Sequence, residues 1–194
     1  LEAVVLAAGA GARFGGGKLL VPWRDGVLLD GALVAAFAAP ARAVWVVSGA
    51  DARVPPAALA FAERIGQPGR LRLIHAPRAA EGMAESLKAG VAALPSDCDG
   101  AFIFLGDMPR VPLALAPRLA DALTAGAAAV APVFQDRRGH PVLFSAALFP
   151  RLLALRGDRG AAAVLADLGP ALARVQAPDD GVLFDVDRPD DLKP

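Results

Sequence analysis

The segment Gly9-Ala10-Gly11-Ala12-Arg13-Phe14-Gly15-Gly16-Gly17-Lys18 has five glycines in nine positions, with Arg13 inside the run and Lys18 at its end. Backbone N–H groups that no side chain screens, together with two cations, suit a bulky anion. The segment therefore reads as a polyphosphate cradle. Two better-known cradles do not fit it. The dinucleotide pattern G-x-G-x-x-G starts at Gly9 and Gly11 but meets Phe14 at its third glycine. The Walker pattern anchored on Gly17-Lys18 needs glycine at Ala12 and a hydroxyl at Leu19. Further along, Gly106-Asp107-Met108-Pro109 sets one carboxylate between a glycine and a proline turn. That placement suits Mg²⁺, which takes one or two protein carboxylates and fills its octahedron with phosphate and water. Near the end, Asp185 and Asp187 flank Val186. In an extended segment both face one side, two rises of ~3.3 Å apart, and both can address one metal. Turn aspartates bonded to nearby N–H groups are the alternative for Asp107, and a solvated turn is the alternative for the pair.

Three further segments carry polar groups in turns or at helix starts. Gly82-Met83-Ala84-Glu85-Ser86 opens an amphipathic helix, and Ser86 lies beside the stripe formed by Met83, Leu87, Val91 and Leu94. Ser86 is either turned inward near a ligand or an ordinary first-turn serine. In Gly139-His140-Pro141, the flanking glycine and proline argue against a buried core histidine. Ligand contact and a structural hydrogen bond both stay open for His140. Gly157-Asp158-Arg159-Gly160 is a loop before a helix, suited to an anion at the helix start or to a simple N-cap by Asp158.

These groups need a scaffold that brings them together. The 194 residues, 55% hydrophobic, suit one domain over 1–194 with a genuine core. Apolar runs at Ala3–Ala8, Ala43–Val47, Leu71–Ile74, Ala101–Leu105 and Ala128–Phe134 alternate with helical stretches at Leu28–Ala39, Pro56–Arg64, Gly82–Leu94 and Pro112–Thr124. Alternation of this kind predicts an α/β fold with a mostly parallel sheet. Helices near Ala146–Leu155 and Gly160–Leu168 follow, then extended runs at Leu172–Val175 and Val182–Val186. In such sheets ligands collect at the carboxyl ends of the strands, where the glycine loop and Asp107 both lie. Composition excludes several classes. Twenty basic and twenty acidic residues balance, which disfavours a nucleic-acid binder that works by bulk charge. The longest charge-free stretch, Ala122–Gln135, has 14 residues and is too short to anchor in a membrane. Cys98 alone supports neither an internal disulfide nor a cysteine-based zinc site. The chain opens on no leader pattern, so a cytoplasmic protein is expected.

Taken in order, Leu6-Ala7-Ala8-Gly9, Arg13-Phe14-Gly15-Gly16 and Lys18-Leu19-Leu20 resemble the signature of MobA-like nucleotidyltransferases. Gly106-Asp107-Met108-Pro109, Gly139-His140-Pro141, Gly157-Asp158-Arg159-Gly160 and Asp185-Val186-Asp187 follow in that family's order. Ala7-Ala8-Gly9, where the guanylyl branch usually has Ala-Gly-Gly, is similar to the branch of molybdenum-cofactor cytidylyltransferases. The resemblance implies a three-layer α/β/α Rossmann-like fold and Mg²⁺-dependent transfer of CMP from CTP to molybdopterin, with pyrophosphate released. A molybdoenzyme or its chaperone is the macromolecular partner it implies. It also implies roles for particular residues. Leu6, Ala7, Ala8, Gly9, Ala10, Gly11, Arg13 and Lys18 would hold the nucleotide, with Gly82 and Ser86 near base and ribose. Arg13, Lys18 and Asp107 would be catalytic, and Asp107, Asp185 and Asp187 would serve the metal. Gly139, His140, Pro141, Asp158, Arg159 and Gly160 would face the acceptor. GTP as donor, a sugar or polyol phosphate as acceptor, and a non-catalytic carrier of the finished dinucleotide are the alternatives.

Overall fold

Continuous runs of Val, Ile, Phe and Ala favour strands covered on both faces, and they form the centre of this fold. The computed structural model describes residues 1–9, 14–156 and 160–192. Strand β1 (Glu2–Ala7) leads through a 3-10 turn (Lys18–Leu20) and a hairpin of β2 (Pro22–Trp23) and β3 (Gly26–Val27) into α1 (Leu28–Ala38). There follow β4 (Val44–Ser48), α2 (Val54–Arg64), β5 (Leu71–His75), α3 (Met83–Ala92), β6 (Gly100–Leu105) and α4 (Leu115–Thr124). The chain continues with β7 (Ala129–Phe134), β8 (Arg137–Arg138), β9 (Val142–Ser145), α5 (Phe149–Leu153), α6 (Ala162–Leu168) and β10 (Leu172–Gln176).

The main sheet has the order β10-β7-β9-β6-β1-β4-β5, with β8 paired to β7. Strand β1 runs parallel to both β4 and β6, β4 runs parallel to β5, and β7 runs parallel to β10. Only β9, between β6 and β7, and the short β8 are reversed. The sheet is mostly parallel, as expected. Leu29, Leu33, Phe61, Leu115 and Leu119 pack α1, α2 and α4 on one face. Leu87, Val91, Leu152, Val164 and Leu165 pack α3, α5 and α6 on the other.

Two expectations need correction. Val182–Val186 is not a strand: a 3-10 turn spans Asp180–Val182, and irregular chain follows. The Asp179 carboxylate accepts the Gly181 N–H at 2.9 Å and closes that turn, which takes the backbone off the strand path. Met83, placed on the inner stripe of α3, is 49% exposed, whereas Leu87 and Val91 are buried. Ala84 in the first turn of that helix packs in the core, whereas Met83 lines a cavity that Ser86 also lines.

At the amino end of β1 the structure holds a polar network that no sequence pattern announced. Glu2 is 1% exposed, in the middle of the sheet. Its carboxylate accepts Arg42 Nε at 2.7 Å, the Ala43 N–H at 3.1 Å and Trp45 Nε1 at 3.0 Å. Arg42 in turn makes a two-pronged pair with the exposed Asp97 at 2.7 and 2.9 Å. Removing a buried acceptor leaves its donors unpaired, at about 1–3 kcal/mol for each fully buried group. We therefore expect Glu2→Ala to destabilise the fold by ~2–4 kcal/mol in urea unfolding, with Ala43 N–H and Trp45 Nε1 carrying the loss. Asp97→Ala, which removes only the solvent-exposed half of the network, should leave the midpoint nearly unmoved.

Candidate active site

Because β1, β4, β5 and β6 run parallel, their carboxyl ends lie along one edge of the sheet. The glycine loop leaves that edge after β1. Gly15, Gly16 and Gly17 have φ values of 86°, 92° and 66°, a region that side chains resist. These residues bring the chain back so that Lys18 points across the edge. Its Nζ lies 2.7 Å from Asp107 Oδ2, across 89 positions of sequence, and 3.5 Å from Asp187 Oδ1. The Lys18 side chain is only 12% exposed.

Asp107 follows β6, and its carbonyl accepts the Val186 N–H at 3.1 Å. That bond ties the late acidic segment to the β6 turn. Val186 is fully buried. Asp185, on one side of it, is exposed, and Asp187, on the other, is half-buried. Asp191 accepts the Asp187 and Arg188 N–H groups at 2.9 and 2.7 Å and fixes the following turn. Burial, and then the like charges of Asp187 and Asp107, push the Asp185 carboxyl above its ordinary value.

A cavity of about 350 Å³ opens beside this group, lined by Leu6, Ala8, Gly9, Lys18, Gly82, Ser86 and Asp107 among others. Ser86 is buried and faces inward, and Gly82 starts its helix. A second cavity of about 480 Å³ continues over β4 and β5, with Ala7, Ala8, Gly9 and Lys18 on its near side. Both volumes suit a small ligand. Its far wall holds Gly49, Asp51, His75 and Pro77, which the sequence reading did not single out. They follow β4 and β5, so the same strand-end rule that chose the glycine loop points to them.

The residues assigned to the acceptor are spread more widely. Gly139 is buried, donates to the Pro132 carbonyl at 2.9 Å, and abuts the Val182 carbonyl so closely that a Cβ would collide with it. Packing accounts for that glycine. Pro141 is buried as well. His140 is half-buried and not a core histidine, as its glycine and proline neighbours suggested. Its N–H donates to the Val182 carbonyl at 2.9 Å, and Nδ1 lies 3.5 Å from the Ile103 carbonyl. Burial pushes the imidazole below its ordinary value, against the Ile103 carbonyl and the charge of nearby Asp107. Gly160 is buried beside Met83, on the rim of the Ser86 cavity. Ala10, Gly11, Arg13, Asp158 and Arg159 lie outside the described residues.

Among the described residues no three Asp, Glu, His or Cys side chains converge as a ready-made metal cage. Instead Lys18 bridges Asp107 and Asp187. The donor set is all carboxylate, which suits a hard divalent cation with phosphate oxygens completing its shell. The Asp185 carboxyl is raised first by burial and then by the like charges of Asp187 and Asp107. A carboxyl whose value is raised on folding costs stability once pH climbs through that value, and costs nothing below the unfolded one. We therefore expect Asp185→Asn to raise the melting temperature of the nucleotide-free protein at neutral pH. The gain should vanish below the ordinary aspartate value of 3.8, as thermal unfolding at a series of pH values can show.

With this geometry in place, comparison with known proteins is informative. The sequence pattern of the MobA-like NTP transferase domain matches residues 3–175. The chain is 27% identical over 145 residues to the molybdenum cofactor cytidylyltransferase of Escherichia coli (strain K12), covering 75% of this chain and 70% of that one. The fold is similar to the crystal structure of Rv0371c from Mycobacterium tuberculosis H37Rv, with a TM-score of 0.81 and 28% identity over 98% of this chain and 93% of that one. A manganese complex of Rv0371c superposes with a TM-score of 0.72 at 27% identity, over 91% of this chain and 87% of that one.

Proposed function

The chain belongs to the MobA-like NTP transferase family and is a nucleotidyltransferase, and we propose that it transfers CMP from CTP to the terminal phosphate of molybdopterin, with or without bound molybdenum, releasing pyrophosphate. The observation that carries this reading is the Lys18–Asp107 pair at the head of the cavity that Ala8, Gly9 and Ser86 line. The Escherichia coli relative, named for cytidylyl transfer, supports the choice of nucleotide. The reading takes residues 1–194 as one nucleotidyltransferase domain. It also places the protein in the cytoplasm. Among the described residues no helix is long and apolar enough to cross a membrane.

The chemistry asks for alignment more than for proton transfer. A phosphate monoester has its second pKa near ~6, so the acceptor is largely dianionic at neutral pH and attacks without a strong base. The chain must hold the α-phosphorus in line with that oxygen and offset charge as pyrophosphate leaves. In this reading Lys18 exchanges Asp107 for the triphosphate, while Arg13 and the glycine-loop N–H groups hold the remaining oxygens. Asp107, with Asp185 or Asp187, would hold Mg²⁺, which when bound neutralises phosphate charge in the transition state. Ser86 and Gly82 lie on the wall assigned to ribose and base. His140, Pro141 and the 157–160 loop are assigned to the acceptor side.

Pyrophosphate release measured with each of the four NTPs, with and without molybdopterin, tests the reading directly. CTP with molybdopterin should give the fastest release, and release that does not depend on molybdopterin would remove the proposed acceptor. Asp107→Asn should lower turnover by roughly 10²–10³-fold with the fold intact, the usual loss for one main electrostatic contact. Ala8 lines both cavities, so its methyl group limits the room for a purine. One methyl discriminates by only ~1–3 kcal/mol, so Ala8→Gly should narrow the CTP:GTP ratio of kcat/KM and not invert it. An unchanged ratio would mean that the base is read elsewhere, with the Ser86 helix the next wall to test.

A further inference from the structure

A cavity of about 530 Å³ lies between the β2–β3 hairpin, α1, the chain after β6 and the Asp179–Gly181 turn. It shares no wall residue with the two cavities at Lys18. Its apolar surface comes from Trp23, Val34, Phe61 and Leu113, of which Val34 and Leu113 are 42% and 49% exposed. Of the three arginines in these walls, Arg64 is paired with Asp30, while Arg110 and Arg24 stand over the aromatic rings. The Arg110 guanidinium lies 4.1 Å from the Phe184 ring centroid and 6.0 Å from that of Trp23, and Arg24 lies 6.0 Å from Trp23. A ring face attracts a cation but provides no counter-charge.

Neither Arg110 nor Arg24 has an ion pair among the described residues, although four aspartates stand in the same walls. Asp30 is held by Arg64 at 2.7 Å, and Asp179 by the Gly181 N–H at 2.9 Å. Asp25 and Asp180 complete the four. Trp23 Nε1–H is a buried donor with no acceptor. The walls are tightly built: α1 meets the next segment where Gly31 packs on Pro109, and the late turn meets it where Gly181 packs on the Arg110 carbonyl.

We infer that this cavity is a second ligand site, separate from the catalytic cleft, that takes a planar, amino-substituted heteroaromatic anion. The ring lies on the Trp23 side of the cavity over the apolar floor, the anionic group meets Arg110 and Arg24, and ring amino groups donate to Asp25 or Asp180. Nucleotides and pterins share this chemistry. Pro109 and Arg110 come two and three residues after Asp107, and the Asp179–Gly181 turn leads into Asp185. Both walls therefore continue directly into the acidic segments of the cleft.

Calorimetric titration of the nucleotide-free chain with pterin-6-carboxylate, CMP and inorganic phosphate tests the site. One of the two ring compounds should bind wild type and Lys18→Ala equally, and bind Arg110→Ala at least roughly tenfold more weakly, as expected for loss of a charge-assisted contact. Trp23→Leu should weaken it as well, and the ring that binds identifies the ligand source. Arg110 is exposed, so its truncation leaves the core untouched. Binding lost in Lys18→Ala but kept in Arg110→Ala would assign the ligand to the cleft and overturn the inference. Equal affinity for inorganic phosphate, or no binding by either ring compound, would overturn it too. None of these outcomes depends on whether molybdopterin is the acceptor, which pyrophosphate release decides.

Discussion

The register of β1 against its two parallel neighbours is the constraint on which the site depends. Leu6 stands opposite Leu105 of β6, and Ala7 opposite Ser48 of β4. A slip of one residue in either pairing would turn every side chain of β1 to the other face and displace the glycine loop from Asp107. The Lys18–Asp107 pair does not set that register. A partly exposed ion pair contributes ~1 kcal/mol at most. Each fully buried Val or Leu contributes ~1.5–3 kcal/mol, and Val4, Val5 and their neighbours in β4 and β6 supply many such terms. Apolar packing places the strand tips, Glu2 fixes the amino end, and the ionic contact follows from both.

That placement gathers Asp107, Asp185 and Asp187 at one edge. Among the described residues Lys18 meets Asp107 and Asp187 there, and burial together with their like charges raises the neighbouring Asp185 carboxyl. Clusters of this kind are poor for stability and common where a protein must bind a cation or a cationic transition state. The contrast with Glu2 is instructive. Glu2 is more deeply buried than Asp185, yet it has three donors from its own chain. One carboxylate is satisfied internally and serves the fold. The other has like charges for neighbours and suits a ligand.

Much of this was legible in the sequence, for reasons that differ by element. The central strands are continuous apolar runs because both faces are covered, so their positions could be read almost to the residue. The glycine loop and Asp107 were legible because strand ends in a parallel sheet converge on one edge. What was not legible depends on distant partners. Glu2 reads as an ordinary surface acid until Arg42, Ala43 and Trp45 are brought to it by β1–β4 pairing. The extended reading of Val182–Val186 failed because apolar residues spaced through that run bury Val182 and Val186 without strand pairing, around a turn closed by Asp179. For His140 the sequence left ligand contact and a structural hydrogen bond both open, and β9 entering the sheet beside β6 brings its ring to the Ile103 carbonyl.

The two kinds of charged group at the edge also differ in mobility. Asp107 and Asp187 sit on segments held through backbone N–H groups, the Val186 N–H to the Asp107 carbonyl and the Asp187 N–H to the Asp191 carboxylate. Lys18 reaches them through a flexible four-carbon stem from a short 3-10 turn. The Lys18 stem has four side-chain torsions, whereas each aspartate carboxylate has only two about a backbone fixed by these bonds. Any incoming polyphosphate therefore meets acids on short side chains and, among the described residues, Lys18 as a movable cation. The cation is the part that can change partners, and its position between the acids keeps them apart from each other's charge until it does.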